Sequence, residues 1–344
     1  MIKFNRRKIS DEKYEACSVF DVDGDGIPDI VSGGFWYKGP DFKQKFKIWE
    51  PKTEGEYFDD FSSYPLDITG NGKYDIITGG WWGEKLKWLE NNGEWTVHEI
   101  AETGSIETTR FFDIDGCGTV EIFPNTPGRP QSFFKLENGA FKQYVIGNSS
   151  TGHGMGFGDI DGDGKTEIIL CDFYLKQTGS VYDKWAEIPI KAGNYMGSVP
   201  ILVYDVNKSG LPDIIKGNAH GYGLYWYEQI KPNEFIEHLI DGERAQYHDM
   251  QLVDIDNDGQ LELVTGKRYR AHCGNDPGDN DNPSISYFKV NNGNFERFDI
   301  EYGDPEQTAG TGIYFWLHDF SGNGYLDIVA PGKTGLYLFE NLGN

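Results

Sequence analysis

Apolar runs such as Phe111-Phe112 and Ile201-Leu202-Val203-Tyr204 lead into acidic, glycine-rich loops, and β-branched runs such as Asp29-Ile30-Val31 and Glu167-Ile168-Ile169-Leu170 lead out of them. Runs of this length and composition, bounded by turn-forming residues, predict strands. A third, aromatic-rich strand follows at 86–90 and 224–228, and Asn-Gly turns such as Asn92-Gly93 and Asn292-Gly293 close hairpins. The fourth run alternates apolar and polar positions, as at 95–100 and 235–240, in the manner of a half-exposed strand.

This four-strand unit recurs seven times. The acidic loops begin at Asp21, Asp67, Asp113, Asp159, Asp205, Asp254 and Asp319, spaced by 46 residues four times and then by 49 and 65. A repeat of this period, with four strands per unit, predicts an all-β fold: a seven-bladed β-propeller of four-stranded blades forming a single domain over residues 1–344. After its loop the seventh unit offers only a second and a third strand, at 328–330 and 336–340. The alternating segment 2–9 at the N-terminus has the pattern of the missing fourth, so the N-terminal strand is expected to complete the last blade and close the ring without a free edge.

Carboxylates at loop positions 1, 3, 5 and 9, with glycines at 4 and 6 for tight turns, converge hard oxygen ligands of the kind Ca²⁺ takes. The set is complete in three loops: Asp21, Asp23, Asp25 and Asp29; Asp159, Asp161, Asp163 and Glu167; Asp254, Asp256, Asp258 and Glu262. About three structural calcium ions are therefore expected. The other loops carry Thr69, Asn71, Cys117, Asn207, Ser209, Ser321 and Asn323 in place of carboxylates, and are read as turns held by side-chain hydrogen bonds without metal. The D-x-D-G-D-G-x-x-D units resemble the FG-GAP (VCBS) repeats of integrin-type propellers over essentially the whole chain. That resemblance implies the propeller fold and structural calcium, while leaving adhesion, lectin and carbohydrate-cleaving roles open.

Composition narrows the partners. The chain has 344 residues and a formal charge of −24, which argues against nucleic acid or an anionic membrane surface as partner. No run approaches the roughly 18 to 20 apolar residues of a membrane-spanning helix, so no membrane insertion is expected. The N-terminal segment lacks the apolar core of a secretory signal. Localisation stays open between the cytoplasm and a secreted or periplasmic protein whose signal has been removed. Cys17, Cys117, Cys171 and Cys273 lie far apart and read as buried free thiols.

Chemistry is expected on the rim opposite the acidic loops, near the axis. Six residues before each loop stand Glu15, Phe61, Glu107, His153, Val199, His248 and Ile313, four of them ionisable where a structural strand prefers apolar or small residues. Tyr14, Asp59, Asp60, Arg110, Tyr195, Tyr247 and Asp249 surround them, and the loops between second and third strands add Trp36, Trp81, Trp82, Arg129, Asp172, Tyr174, His220, Tyr222, Lys267, Arg268, Arg270 and His272. His98 and His238 fall at equivalent positions on outer strands and are read as surface residues, and His318, beside an acidic loop, is read as structural. His153 and His248 with Glu107 or Glu15 would either hold a further divalent metal or act as base and electrophilic partner. The sixth unit is about 19 residues longer than the others, its excess lying in 266–283, and this loop is expected to cross the pocket mouth.

The segments Gly152-His-Gly-Met-Gly-Phe-Gly-Asp159, Tyr247-His-Asp-Met-Gln-Leu-Val-Asp254 and Gly266-Lys-Arg-Tyr-Arg-Ala-His272 with Asp276-Pro-Gly278 resemble the propeller of aldos-2-ulose dehydratase-type enzymes. The resemblance implies metal-assisted elimination from a keto-sugar, carried to His153, His248, Lys267 and His272, without the cupin-like domains of the fungal enzymes. Related propeller lyases cleave uronic-acid glycosides by the same logic. The reading that follows is a carbohydrate-active lyase or dehydratase, with Tyr247 or a histidine (His153, His220, His248 or His272) moving the proton. Lys267 and Arg268 form the electrophilic clamp beside Glu107, and Trp36, Trp81, Trp82, Arg110, Tyr174 and Tyr222 contact the sugar. A non-catalytic glycan-binding propeller, which needs no histidine cluster, and an integrin-like protein-binding platform, with a flat upper face, are the alternatives.

Overall fold

The computed structural model describes residues 1–190 and 197–343; Tyr195 falls outside them. Among the described residues the fold is all-β, with one 3₁₀ turn at Ala271–Cys273 and no α-helix. The sheets are propeller-like blades. In the third unit, for example, Thr108–Phe112, Glu121–Asn125, Pro130–Glu137 and Ala140–Ser150 pair in chain order as an antiparallel meander.

Five four-stranded sheets stand apart, whereas the fourth and fifth units share one sheet of eight strands, which corrects the expectation of separate blades throughout. Two residue pairs of the inner strands, Gly156↔Ile201 and Phe157↔Leu202, run parallel and join the halves. Glycine is the cause. A Cβ at Gly156 would lie 1.7 Å from the Ile201 carbonyl oxygen, and every other unit carries a side chain at the corresponding position, from Ser18 to Trp316.

The core is a series of wedges between consecutive units. The second strand of each unit carries two adjacent apolar residues, and because neighbouring residues of a strand point to opposite faces, each pair serves two wedges. Ile30 packs toward the seventh unit with Val329, and Val31 toward the second with Ile76. Ile77 continues to Ile122, Phe123 to Ile168, Ile169 to Ile214, Ile215 to Leu263, and Val264 to Ile328. These strands are buried on both faces, which explains why they read as continuous apolar runs rather than alternating ones.

The ends of the chain meet as the alternation predicts. Phe4–Ser10 pairs antiparallel with Leu336–Asn341, from Phe4↔Asn341 to Ser10↔Leu336, and supplies the outer strand of the seventh unit's sheet. On the inner side, Ala16 bridges Tyr314, and the Ile313 and Tyr314 amides donate to the Glu15 carbonyl. No disulfide links the chain: Cys17 and Cys171 are buried as expected, Cys117 is exposed and Cys273 is half-buried.

Gly156→Val is expected to force the fourth and fifth units apart and lower stability by about 1–3 kcal/mol. Gly179→Ala, where the added carbon meets only the Asp183 carboxylate at 3.4 Å, should stay within about 0.5 kcal/mol of the parent. Denaturant unfolding of the two variants, monitored by tryptophan fluorescence, checks the contrast.

Candidate active site

The seven residues six places before the acidic loops, at or just before the innermost strands, are all buried. Glu107, His153 and His248 meet on the axis: Glu107 Oε1 lies 2.9 Å from His153 Nε2 and 3.2 Å from His248 Nε2. His220, from the loop after the fifth unit's second strand, brings its Nε2 to 3.1 Å from His153 Nε2. One ligating atom from each of these four residues lies within 4.8 Å of the others.

Their outward atoms are anchored. His153 Nδ1 sits 2.6 Å from the Gly197 carbonyl oxygen, and His220 Nδ1 sits 2.6 Å from Asp276 Oδ2. Both outer partners are acceptors, so each Nδ1 is assigned its proton and each Nε2 turns a lone pair inward. Burial pushes the His220 imidazole down to about 3, with the neighbouring His153 adding to it, and burial likewise pushes His248 down to about 4. Burial opposes ionisation of Glu107, and protons on the facing His153 and His248 rings outweigh it and hold the carboxyl well below the usual range, support that is lost where their Nε2 atoms carry lone pairs instead. Inward lone pairs facing an ionised carboxylate repel one another, and a divalent metal among them removes that repulsion. His248 Nδ1 is buried without a partner. The donor set, three imidazoles and one carboxylate with outer acceptors behind two of the rings, fits such a metal.

A cavity of about 360 Å³ opens over the cluster. Trp81, Trp82, Tyr57 and Pro127 give it apolar walls, and Arg268 and His272 complete it. Arg268 is fully buried beside Glu15, with Nε 2.8 Å from Oε1 and Nη2 3.3 Å from Oε2. Although burial opposes both charges, this pairing holds the Glu15 carboxyl low and the Arg268 guanidinium charged. The long loop of the sixth unit contributes Arg268 and His272 to the cavity lining. His272 stacks on His220 with centroids 4.2 Å apart, and its Nδ1 lies 2.9 Å from Asp276 Oδ1. Its amide donates to the Tyr57 hydroxyl, and Arg270 pairs with Glu56 at 2.9 Å.

Of the residues the sequence reading assigns to catalysis or to sugar contact, Glu107, His153, His220, His248, Arg268, His272, Trp81 and Trp82 meet at this site. Six do not. Tyr247 is buried between the fifth and sixth units with its hydroxyl donating to Asp241 at 2.6 Å, because the residue beside His248 on a strand faces the other way. Lys267 turns its ammonium into its own loop, donating to Gln246 Oε1 at 2.9 Å and to the Arg268 and Asp279 carbonyls, so it braces the loop instead of clamping a ligand. Arg110 lies three residues further down its strand, paired with Asp249 at 2.7 Å and stacked over Tyr314. Trp36 stacks on Phe46 within the wedge between the first and second units, and Tyr174 packs in the wedge between the fourth and fifth. Tyr222 is exposed and donates to Asp281 at 2.6 Å, tying the loop's far end. Missing from the sequence reading are Tyr57 and Pro127. Tyr57 arrives on the hairpin Thr53–Glu54/Tyr57–Phe58, which has no counterpart in the repeat. His98 and His238, read as surface residues, are half-exposed and stack on Trp88 and Trp226 of their own blades.

No family model and no curated protein matches the sequence. Solved structures do match in fold. An Agrocybe aegerita lectin that recognises non-reducing terminal N-acetylglucosamine is 16% identical, with 97% of this chain and 91% of that chain covered at a TM-score of 0.50. The rhamnogalacturonan lyase YesW is 13% identical, with 99% and 73% covered at 0.53. A chain of the structure of BBS1N in complex with ARL6DN is 9% identical, with 98% and 96% covered at 0.60. These likenesses are of fold, and the fold hosts glycan binding, sugar chemistry and protein assembly alike.

Proposed function

We propose that the chain is a seven-bladed propeller of FG-GAP (VCBS) type, its eight-stranded sheet counting as two blades, and that the axial cavity belongs to a carbon–oxygen lyase acting on a carbohydrate. The reaction is β-elimination from a keto-sugar or a uronic-acid glycoside. The observation that carries this reading is the convergence of Glu107, His153, His220 and His248 beneath a cavity walled by two tryptophans. A binding platform has no use for four desolvated ionisable groups at the floor of its pocket, and burying them costs stability.

Glu107, His153, His220 and His248 would hold a divalent metal, which when bound supplies a Lewis acid for the sugar's carbonyl or carboxylate oxygen. Trp81 and Trp82 present flat apolar faces against which a pyranose ring stacks. His272 is placed to take the proton from the carbon next to that carbonyl, because Asp276 orients its ring and it is the most solvent-accessible imidazole of the group. The electron pair of the broken C–H bond becomes the C=C bond as the neighbouring C–O bond breaks, and the departing oxygen takes the proton that His272 removed, which returns the imidazole to its starting state. Arg268, fixed by Glu15, places positive charge at the cavity wall where negative charge develops.

Incubation with 2-keto and 3-keto sugars and with uronic-acid oligosaccharides, following absorbance of the unsaturated product and metal content together, is expected to show turnover with at least one of them. His153→Ala and His248→Ala should lose the metal and at least about 100-fold in rate, whereas Trp81→Ala should mainly raise KM. Binding of glycans with no product, unaffected by either histidine substitution, would convert the assignment to a lectin.

The metal-free protein has a pH signature as well. His220 and His248 stay neutral in the fold down to about 3 and 4, whereas in the unfolded chain they take up protons near the ordinary 6.5. Their contribution to stability is therefore complete above about pH 6.5 and is lost as pH falls toward 4. His248→Gln should flatten this slope, which chelator-treated protein unfolded at a series of pH values will show.

A further inference from the structure

The resemblance to FG-GAP repeats implies calcium in the acidic loops, and the chain itself offers another cation for the same place. One residue beyond the third-strand position that pairs with the second strand's first apolar residue, the register is fixed in all seven units by Ile30↔Tyr37, Ile76↔Leu89, Ile122↔Phe134, Ile168↔Leu175, Ile214↔Tyr227, Leu263↔Phe288 and Ile328↔Phe339. Where loop position 3 is aspartate, as at Asp23, Asp115, Asp161 and Asp256, that next residue is lysine: Lys38, Lys135, Lys176 and Lys289. Where position 3 is Thr69, Asn207 or Ser321, it is glutamate: Glu90, Glu228 and Glu340. The match has no exception.

Each lysine reaches its loop. Lys38 contacts Asp23 and lies 2.7 Å from Asp25; Lys176 contacts Asp161 and lies 2.9 Å from Asp163. Lys289 contacts Asp256 and lies 3.3 Å from Asp258, and Lys135 contacts Asp115 and lies 2.7 Å from Glu121. Charge balance follows the same rule. In the first, fourth and sixth units, two added carboxylates at positions 3 and 5 are offset by the exchange of glutamate for lysine. Summed over positions 1, 3, 5, 9 and the strand residue, the formal charge is −3 in every unit except the third, where it is −2 because Cys117 replaces a carboxylate.

We propose that in these four loops a resident lysine ammonium, and not a bound calcium ion, neutralises the carboxylate at position 3 together with that at position 5 or, in the third unit, position 9. The remaining oxygens are largely engaged without a metal. In the first loop, Asp21 accepts the amides of Gly24, Asp25 and Gly26, and Asp29 accepts those of Val22 and Gly39. The position-9 carboxylate accepts the position-2 amide in all seven units. Calcium needs six to eight oxygens at 2.3–2.6 Å, and an ammonium already seated on two of the candidates both occupies and repels it. Glu167 Oε1 and Asp256 Oδ1 are buried without partners, so the fourth and sixth loops are where calcium would enter if the lysines yielded.

Calcium content and thermal unfolding of the full chain test this. Protein dialysed against calcium and then against chelator-free buffer should retain well under one calcium per chain, and its unfolding midpoint should not move between EGTA and millimolar calcium. Lys176→Met and Lys289→Met should each lower the midpoint in EGTA. In the second unit, which has no lysine, Thr69→Asp should lower the midpoint and adding Glu90→Lys should restore it. Retention of two or more calcium ions by the wild type, a midpoint that falls on chelation, or rescue of Thr69→Asp by calcium and not by Glu90→Lys would overturn the proposal.

Discussion

Two adjacent apolar residues on the second strand of each unit hold this molecule together, because a strand turns them to opposite faces and so commits each unit to both of its neighbours. Neither wedge beside Ile168-Ile169 or Ile214-Ile215 can be buried unless the next unit is present. Each fully buried aliphatic side chain contributes about 1.5–3 kcal/mol, and there are seven such pairs. The pairing of Phe4–Ser10 with Leu336–Asn341 completes the last sheet and leaves the chain's ends no free edge there. Residues 141 positions apart, Glu107 and His248, are in contact on the axis only because this circle closes. The apolar wedges offset the expense of burying the ionisable cluster, where each unpaired polar group costs about 1–3 kcal/mol.

The two ends of the inner strands differ in how they treat charge. At the acidic end the carboxylates are distributed over backbone amides and lysines, most of them from the loop's own unit, with side chains such as Asn91, Gln229 and Asn341 tying a loop to the next unit. At the axial end the groups come from different units, share one oxygen of Glu107, and leave His248 Nδ1 unpartnered. Local closure is what a structural turn requires; an arrangement that is satisfied only by adding something from outside is what a site requires.

Most of the fold was legible because the repeat is written in the side chains that close the loops. The register six residues before each loop found Glu107, His153 and His248 for the same reason. Tyr247 shows where that reasoning fails: proximity in sequence to an axial histidine places a side chain on the opposite face of the strand. Trp36 and Tyr174 fail differently, since a propeller buries its third-strand aromatics between blades as readily as it lends them to a pocket. The fusion of the fourth and fifth sheets rests on the missing side chain of Gly156, visible in the sequence but interpretable only against the neighbouring strand. Tyr57 was out of reach because its hairpin interrupts the repeat and has no equivalent by which to be aligned.

That hairpin and the long loop of the sixth unit are two departures from the repeat, and they meet. Arg270 pairs with Glu56 across 214 residues of sequence, and the His272 amide donates to Tyr57 over the same cavity. A ring of similar units tends to produce similar pockets all around it. Here the two insertions cover one sector, and the ionisable residues of the inner strands face that sector, with Phe61 and Ile313 packing apolar against Tyr57 beside them. The symmetric part of the molecule sets the distance between the clustered groups, and the asymmetric part supplies Tyr57, Arg268 and His272 to the cavity above them. A cavity with a cluster of imidazoles held at its floor differs from the repeated shallow contacts by which a ring gains avidity for many ligands.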